Sequence, residues 1–409
     1  MIPLPIDSVR ELAPGRWEVA PWANEVTGLQ TDSRRVEEGG LFVAVGGGAD
    51  FIKHAFARGA AAALVPDDAF GALAAIAGLV RDLSTATFVA ITGSMGKTST
   101  KDILAAICVP QRRTVAAERS YNAEIGVPLT IGRVEQDTEL CILELAMRGF
   151  DQITDLCSFA RPDVGVITNV GPVHLEKVGD LAGVVRAKSE LIAALPAGGI
   201  AVVPADFPVS RDDLDVVRVG DDVTIETFDP PVLRTSVGTV EVDFSARHLA
   251  ANALTALATA RALGLEIPPT LHVRFTEWRN EEIPLPGGGV LVNDAWNANP
   301  ISMRAALEHL VQVADGRRTI AVLGDMAELG AYSAEGHHEV GRAVQELDID
   351  EVVAIGRLAA AYGGQHVETV DEAIALLEEM LRPGDCVLVK AARAMRLERV
   401  AEALTSVRT

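Results

Sequence analysis

Positive charge is what this chain has least of. Its 36 lysines and arginines face 57 aspartates and glutamates, a formal net charge of −21, which argues against nucleic acid or an anionic membrane surface as a main partner. An anionic ligand must then be held by local donors against an unfavourable overall field. Lysine is scarcer still: Lys53, Lys97, Lys101, Lys177, Lys188 and Lys390 are the full set, so arginine supplies most surface cations and each retained lysine stands out. Cys108, Cys141, Cys157 and Cys386 lack CxxC spacing and lie mostly in or beside apolar runs, which points to buried free thiols rather than a disulfide or zinc site. No apolar stretch approaches the roughly 18 residues of a membrane span, and Met1 to Arg10 shows no signal-peptide pattern. The expected place is the cytoplasm, with no membrane insertion.

Hydrophobic bulk is plentiful. Apolar residues make up 49% of the 409, enough for a proper core in each of the two or three domains this length suggests. Short strand-like runs at 26–31, 41–45 and 61–65, with an alanine-rich helix, predict a small N-terminal α/β domain over residues 1–84. From there, apolar runs at 140–145, 164–168 and 200–203 alternate with helical periods at 181–195 and 248–263. That alternation implies a helix-covered, mostly parallel sheet in a central P-loop ATPase-like domain over residues 85–280. The Pro- and Gly-rich stretch 267–289 reads as a linker. Beyond it, strands are expected at 290–292, 320–323, 352–355 and 387–389, with helices at 302–313, 335–347, 371–381 and 393–404. These make a C-terminal Rossmann-like domain over 281–409, and the fold class α/β in three domains.

The most informative segment follows the apolar run 88–92. Gly93-Ser94-Met95-Gly96-Lys97-Thr98-Ser99 opens a helix-like stretch reaching Ile107. Backbone N–H groups of such a loop and helix start can cradle phosphate oxygens. Lys97 can neutralise the outer phosphates, and Thr98 can supply a magnesium ligand. The spacing is GxxGK[ST], weak as a bare pattern, but the preceding strand and the double hydroxyl strengthen it. We read it as an ATP site.

Other residues carry two readings each. Glu144 ends the 141–143 run, at the sheet edge where such folds bind ligands. It either completes a magnesium site begun by Thr98, that ion taking oxygen ligands, or is a solvated strand-end glutamate. His174 is a ligand or a polar loop group. Lys188 lies in an amphipathic helix, and the plain reading is an exposed lysine paired with a neighbouring acid. The sharper reading is a lysine carbamate binding magnesium as a carboxylate would, chemistry closed to arginine; spacing alone favours the plain one. The segment Asn293 to Pro300 is turn chemistry or a set of polar groups facing ATP across a cleft. Gly324 to Gly330 is a strand-to-helix loop or a substrate loop. Lys390, Arg393 and Arg396 put cations at an expected helix start, where they oppose the helix dipole and favour carboxylate or phosphate binding.

Taken in order, these motifs resemble the Mur ligase family, ATP-dependent amide-forming enzymes of peptidoglycan precursor synthesis, over essentially the whole chain. Asp294 to Met303 is similar to a DxYNANPxSM signature, and Gly324 to Gly330 and Val389 to Leu397 to two further blocks. All three are those of the branch that joins D-alanyl-D-alanine to UDP-N-acetylmuramoyl-tripeptide. The resemblance implies ATP and two magnesium ions. Lys97 would bind outer phosphates within the Gly93-to-Ser99 loop. Thr98 with Glu144 would hold the first magnesium, and His174 with carbamylated Lys188 the second. Asn252 would contact adenine, with Arg279 and Asp294 reaching the nucleotide. Ser33 and Arg34 match positions near the UDP-sugar, while Asn122, Asn297, Asn299, Lys390 and Arg393 match the substrate side. UDP-sugar, ATP and dipeptide would fall to 1–84, 85–280 and 281–409 respectively, in a monomer whose third domain closes over the site.

The chain departs from that pattern at several places. Its Gly47-Gly48-Ala49-Asp50-Phe51 segment is a shortened DGHDF, and Ala123 replaces an asparagine. Leu249 stands where a second adenine-side asparagine is usual, Trp296 replaces tyrosine and Ala392 a serine. None removes a phosphate or magnesium group. Two rivals stay open: a Mur-like ligase for another carboxylate or amine, and a non-catalytic ATP-binding partner.

Overall fold

Strands buried on both faces set the centre of the molecule. In the computed structural model, which describes residues 1–406, Leu140–Glu144 and Val164–Ile167 are buried along their whole length and Thr87–Thr92 at all but its first residue. Continuous apolar runs behave this way when helices cover both sides of a parallel sheet. The sheet runs Asp215–Val219, Ile200–Pro204, Val164–Ile167, Thr87–Thr92, Leu140–Glu144, Thr114–Ala116, parallel throughout. Chain order reverses at Thr87–Thr92, so a crevice opens beyond its C-terminal end. The helix Lys97–Cys108 leaves that crevice and packs against Arg247–Ala262.

A second six-stranded sheet holds Val290–Asn293, Cys386–Lys390, Thr319–Gly324, Glu351–Ile355 and Gln365–Val367 in parallel, with Glu281–Pro284 antiparallel at one edge. The N-terminal part is a four-stranded mixed sheet of Gly15–Val19, Ala62–Pro66, Gly40–Val43 and Gly28–Gln30. The α/β class in three sheet-centred parts is what the alternation implied. Residues 407–409 of the expected third domain lie outside the described residues. All four cysteines are free and buried; burial pushes the thiols of Cys108, Cys141 and Cys157 up to about 12. Among the described residues no helix is long and apolar enough to cross a membrane.

Three expectations need correction. Ile225–Asp229, Val232–Thr235 and Gly238–Val242 form an antiparallel meander joined by Thr270–Leu271. Its short, half-exposed strands leave too weak a period to read. The 267–289 stretch is not a bare linker, since it supplies Thr270–Leu271 and the edge strand Glu281–Pro284. The helix expected at 393–404 is broken: Arg393–Met395 is a 3₁₀ turn, Arg396 takes φ +56°, and the helix proper is Glu398–Thr405. It opens on a glutamate, which suits the dipole, so the inferred conflict of cations at a helix start disappears.

Candidate functional site

The Gly93–Ser99 loop is fixed from the neighbouring strand end. Asn169 Oδ1 accepts from Met95 N at 2.9 Å, while Asn169 Nδ2 and Thr168 Oγ1 donate to Met95 O at 3.1 and 2.5 Å. Ser94 Oγ accepts from Gly171 N at 2.8 Å and donates to Gly171 O at 3.1 Å. Gly96, at φ +74°, turns the chain into the helix, and a Cβ there would strike the Asn252 carboxamide. Lys97 Nζ folds back onto Gly93 O at 2.8 Å. Burial pushes the Lys97 ammonium below its ordinary value, against the opposing pull of Glu144. An anion seated in the loop would offset that penalty.

The loop opens into a cavity of about 650 Å³ whose walls come from two parts of the molecule. The central part contributes Ser94 to Ser99, Ser120, Asn122, Glu144, His174, Asn252 and Arg279. The C-terminal part contributes Asp294, Trp296, Asn297, Asn299, Glu328, Lys390 and Arg393. Asp294 therefore faces the same space as the loop, and the third part is docked shut. Ser33 and Arg34 lie outside these walls. Ser33 Oγ is 2.9 Å from His54 Nδ1, and Arg34 is held by Asp32 at 2.8 Å.

Two plain readings fail here. Glu144 is fully buried, not solvated. Its Oε1 accepts from Asn122 Nδ2 at 2.7 Å, and its Oε2 has no partner among the described residues. Lys188 is 2% exposed, not a surface lysine, and among the described residues no hydrogen bond or ion pair reaches it. Burial, helped by Lys97, pushes its ammonium well below the ordinary lysine value, so a neutral amine is accessible. His174, also depressed mainly by burial, has Nδ1 2.7 Å from Glu328 Oε2. The angle is off that of a hydrogen bond, leaving the nitrogen unsatisfied.

The donor set fits magnesium unevenly. An orphaned carboxylate oxygen on Glu144 and the buried Thr98 hydroxyl are the hard oxygen ligands that ion takes. His174 with a free Lys188 amine is not such a set, and it becomes one only if Lys188 carries a carbamate. Among the described residues no three His, Cys, Asp or Glu side chains form a metal cage, so phosphate and water oxygens would have to complete the coordination.

On the opposite wall the charges are already matched. Lys390, 2% exposed, meets Asp294 Oδ2 at 2.5 Å and Asn297 O at 2.9 Å. Asn299 caps the helix Pro300–Ala314 through Ser302 N at 2.9 Å. Arg393 pairs with Glu398 at 2.7 Å and lies over the rings of Trp278 and Trp296. Asp325 accepts from Leu358 N and Ala359 N at 3.0 and 2.7 Å, which makes the start of the 324–330 motif a loop brace. Leu249 packs into the central core, so its departure from the family pattern does not reach the cavity; His248 lines it instead.

Family models match in two blocks: the Mur ligase middle domain over residues 91–260, and the Mur ligase, glutamate ligase domain over 278–393. UDP-N-acetylmuramoyl-tripeptide–D-alanyl-D-alanine ligase of Mycobacterium tuberculosis strain H37Rv is 32% identical across 99% of this chain and 98% of its own. The chain belongs to the Mur ligase family. The Escherichia coli K12 ligase of the same name is 33% identical over 92% of this chain and 93% of its own. Among solved Mur ligases, MurF from Acinetobacter baumannii superposes with a TM-score of 0.83 at 26% identity, covering 99% of both chains. MurF from Thermotoga maritima in complex with ADP gives 0.80 at 27% identity, covering 93% of this chain and 97% of that one.

Sequence reasoning missed several members of this Mur ligase site. Thr168 and Asn169 brace the loop from the end of a neighbouring strand, and the strand-end rule that singled out Glu144 reaches them too. Glu328 lies in the Gly324-to-Gly330 segment read above as a loop or substrate loop, but was not singled out within it. Ser120 had no such signal, since it matters only through partners distant in sequence.

Proposed function

We propose that this Mur ligase joins D-alanyl-D-alanine to UDP-N-acetylmuramoyl-tripeptide, converting ATP to ADP and phosphate through an acyl phosphate. The observation that carries the reading is the single cavity walled by the phosphate loop on one side and the Asp294–Asn299 segment on the other. Its relatives carry that activity in their names over nearly their whole length.

The γ-phosphoryl group passes to the terminal carboxylate of the tripeptide, releasing ADP. The amine of the dipeptide then attacks the acyl carbon, and the tetrahedral intermediate expels phosphate as the nitrogen loses its proton. Lys97 and the loop amides hold the phosphoryl oxygens where charge is greatest. Arg279, whose Nε is buried without a partner, reaches the same oxygens, and Asn252 and Asp294 contact the nucleoside. Thr98 with Glu144 would hold one magnesium ion, and His174 with carbamylated Lys188 a second; bound there, magnesium would neutralise charge on the phosphoryl oxygens. Asn122, Asn297, Asn299, Lys390 and Arg393 orient the two substrates. Closure of the C-terminal part excludes water, which would otherwise hydrolyse the acyl phosphate.

Residues 1–84, with Ser33 and Arg34, take the UDP-sugar; 85–280 take ATP and 281–409 the dipeptide. The enzyme is taken as a monomer, and its nucleotide substrates support a cytoplasmic place. The test is phosphate release from ATP and magnesium with the UDP-tripeptide, with and without D-alanyl-D-alanine. Release that needs both, with pentapeptide product by mass, is expected. Release with another amine changes the acceptor, and tight ATP binding without release under any pair supports the non-catalytic rival. For the carbamate, Lys188→Ala should lose activity that short-chain carboxylates partly restore; full activity of that variant ends the idea.

A further inference from the structure

Two charged residues of the Lys97–Cys108 helix take no part in the chemistry above. Lys101 is 2% exposed, and it meets Asp102 Oδ1 at 2.8 Å. A buried ion pair is weak support for stability by itself, so the other atoms it holds decide what it is for. Lys101 Nζ also donates to Ala117 O at 2.7 Å and Arg119 O at 3.0 Å. Two of the ammonium's three donors are taken by these carbonyls, and the Asp102 carboxylate meets it as a charge contact rather than a hydrogen bond.

Both segments the pair touches lie outside helices and strands. The first is the turn at Arg119, φ +49°, followed by Ser120. Ser120 Oγ is 3.4 Å from Thr98 Oγ1 and accepts from Arg279 Nη2 at 3.0 Å. The second is the run into Arg279. There Asp102 Oδ2 accepts from Thr276 N at 2.8 Å, and Trp278 and Asn280 take φ +61° and +53°. Apart from the bond from Ala117 N to Ile142 O at 2.9 Å, no strand ladder holds either segment, and the two meet at Ser120 Oγ, 3.4 Å from the Thr98 hydroxyl.

We propose that Lys101 and Asp102 are positioning residues for phosphoryl transfer, one ion pair holding the Ser120 turn and the Arg279 segment in register with Thr98. The pair rests on the ATP-ligase reading but acts on geometry, not on bound groups. It also accounts for a lysine at 101 in a lysine-poor chain, because a compact three-donor head fits three converging oxygens where a planar guanidinium does not.

The test is a double-mutant cycle of Asp102→Asn and Arg279→Ala in the full chain, read in kcat, in KM for each substrate and in Kd for a non-hydrolysable ATP analogue. Asp102→Asn is expected to lower kcat about tenfold or more, since a misplacement of about 1 Å costs on the order of 10²-fold. It should weaken the analogue and leave KM for the UDP-sugar substrate within about threefold. With Arg279 already removed, the further loss should be under about twofold, because the positioned group is gone. Losses that multiply fully, or wild-type kcat in Asp102→Asn, overturn the proposal. If Asp102→Asn does not fold, Lys101→Gln, which removes the charge from the other side of the pair, takes its position in the cycle: coupled losses support the proposal and fully multiplying losses overturn it. A wild-type enzyme without turnover counts against the ligase reading alone, and the analogue Kd then decides the pair.

Discussion

The two walls of the cleft handle charge in opposite ways. On the phosphate wall, Lys97 is half-buried, with Lys188 buried near it but not lining the cavity. Both ammonium groups are disfavoured, and among the described residues Glu144 keeps an oxygen without a partner. On the facing wall, Lys390 is closed by Asp294 and Asn297, and Arg393 by Glu398. Unpaired buried charge is costly, so it persists where a ligand will compensate it. Matched charge builds a surface whose shape precedes the ligand. The first wall is tuned for chemistry, the second for docking.

The strongest way to break that contrast is to remove a group from each wall. Lys97→Ala should reduce kcat at least about 10²-fold, the scale of losing one preorganised charge donor, while its melting temperature stays near wild type. Activity within a few-fold of wild type would mean the loop lysine is not at the phosphates. Lys390→Ala should cost stability, by about 3 kcal/mol, as well as substrate orientation, because Asp294, 16% exposed, is left with no paired cation and only the Asn280 N–H among the described residues. A urea midpoint equal to wild type would contradict the matched-charge picture; the Lys390→Met, Asp294→Asn double variant should recover most of the loss.

A smaller effect is expected at the contact between the walls. Glu328 stands against His174 at 2.7 Å and Arg148 at 3.5 Å and is itself 41% exposed. With His174 depressed by burial, only the Arg148 contact is an ion pair, and such partly solvated pairs contribute up to about 1 kcal/mol. Glu328→Ala should therefore raise the population of open molecules, visible as a larger radius of gyration by X-ray scattering, and cost turnover less than about fivefold. An unchanged radius would show that closure does not depend on it.

Another effect sharpens the contrast through pH. Burial lowers His248 from 6.5 to about 4, opposed by Asp294 and reinforced by His309 and Lys390. Between those values the unfolded chain binds a proton that the folded chain does not, so stability falls as pH drops from about 6.5 towards 4. His248→Gln should flatten that part of the urea-midpoint profile; identical slopes in both proteins would remove His248 as the source.

Much of this site was legible as local pattern. The strand, glycine turn, lysine and hydroxyls of 88–99 follow from backbone requirements a few residues long, and so do most strands of the two large sheets. What spacing could not tell was which way a side chain ends up facing. Lys188 read as a surface group because Arg186, Ser189 and Glu190 flank it, and Glu144 because it ends a strand, yet both are buried. Leu249 looked like a position beside the base, but its helix turns it into the core. The Ile225–Val242 meander stayed hidden because short strands paired only to each other carry little period, and the 393–404 helix broke at Arg396 without a proline or glycine to announce it.

The sequence by itself determined the α/β class, the phosphate loop and the branch of ligase chemistry, because each rests on periodicity or on contiguous motifs. The tertiary structure decided which charges are left open and which are matched. Burial, and the meeting of residues as far apart as Lys97, Arg279 and Asp294, are properties of packing between elements, and no stretch of chain contains them.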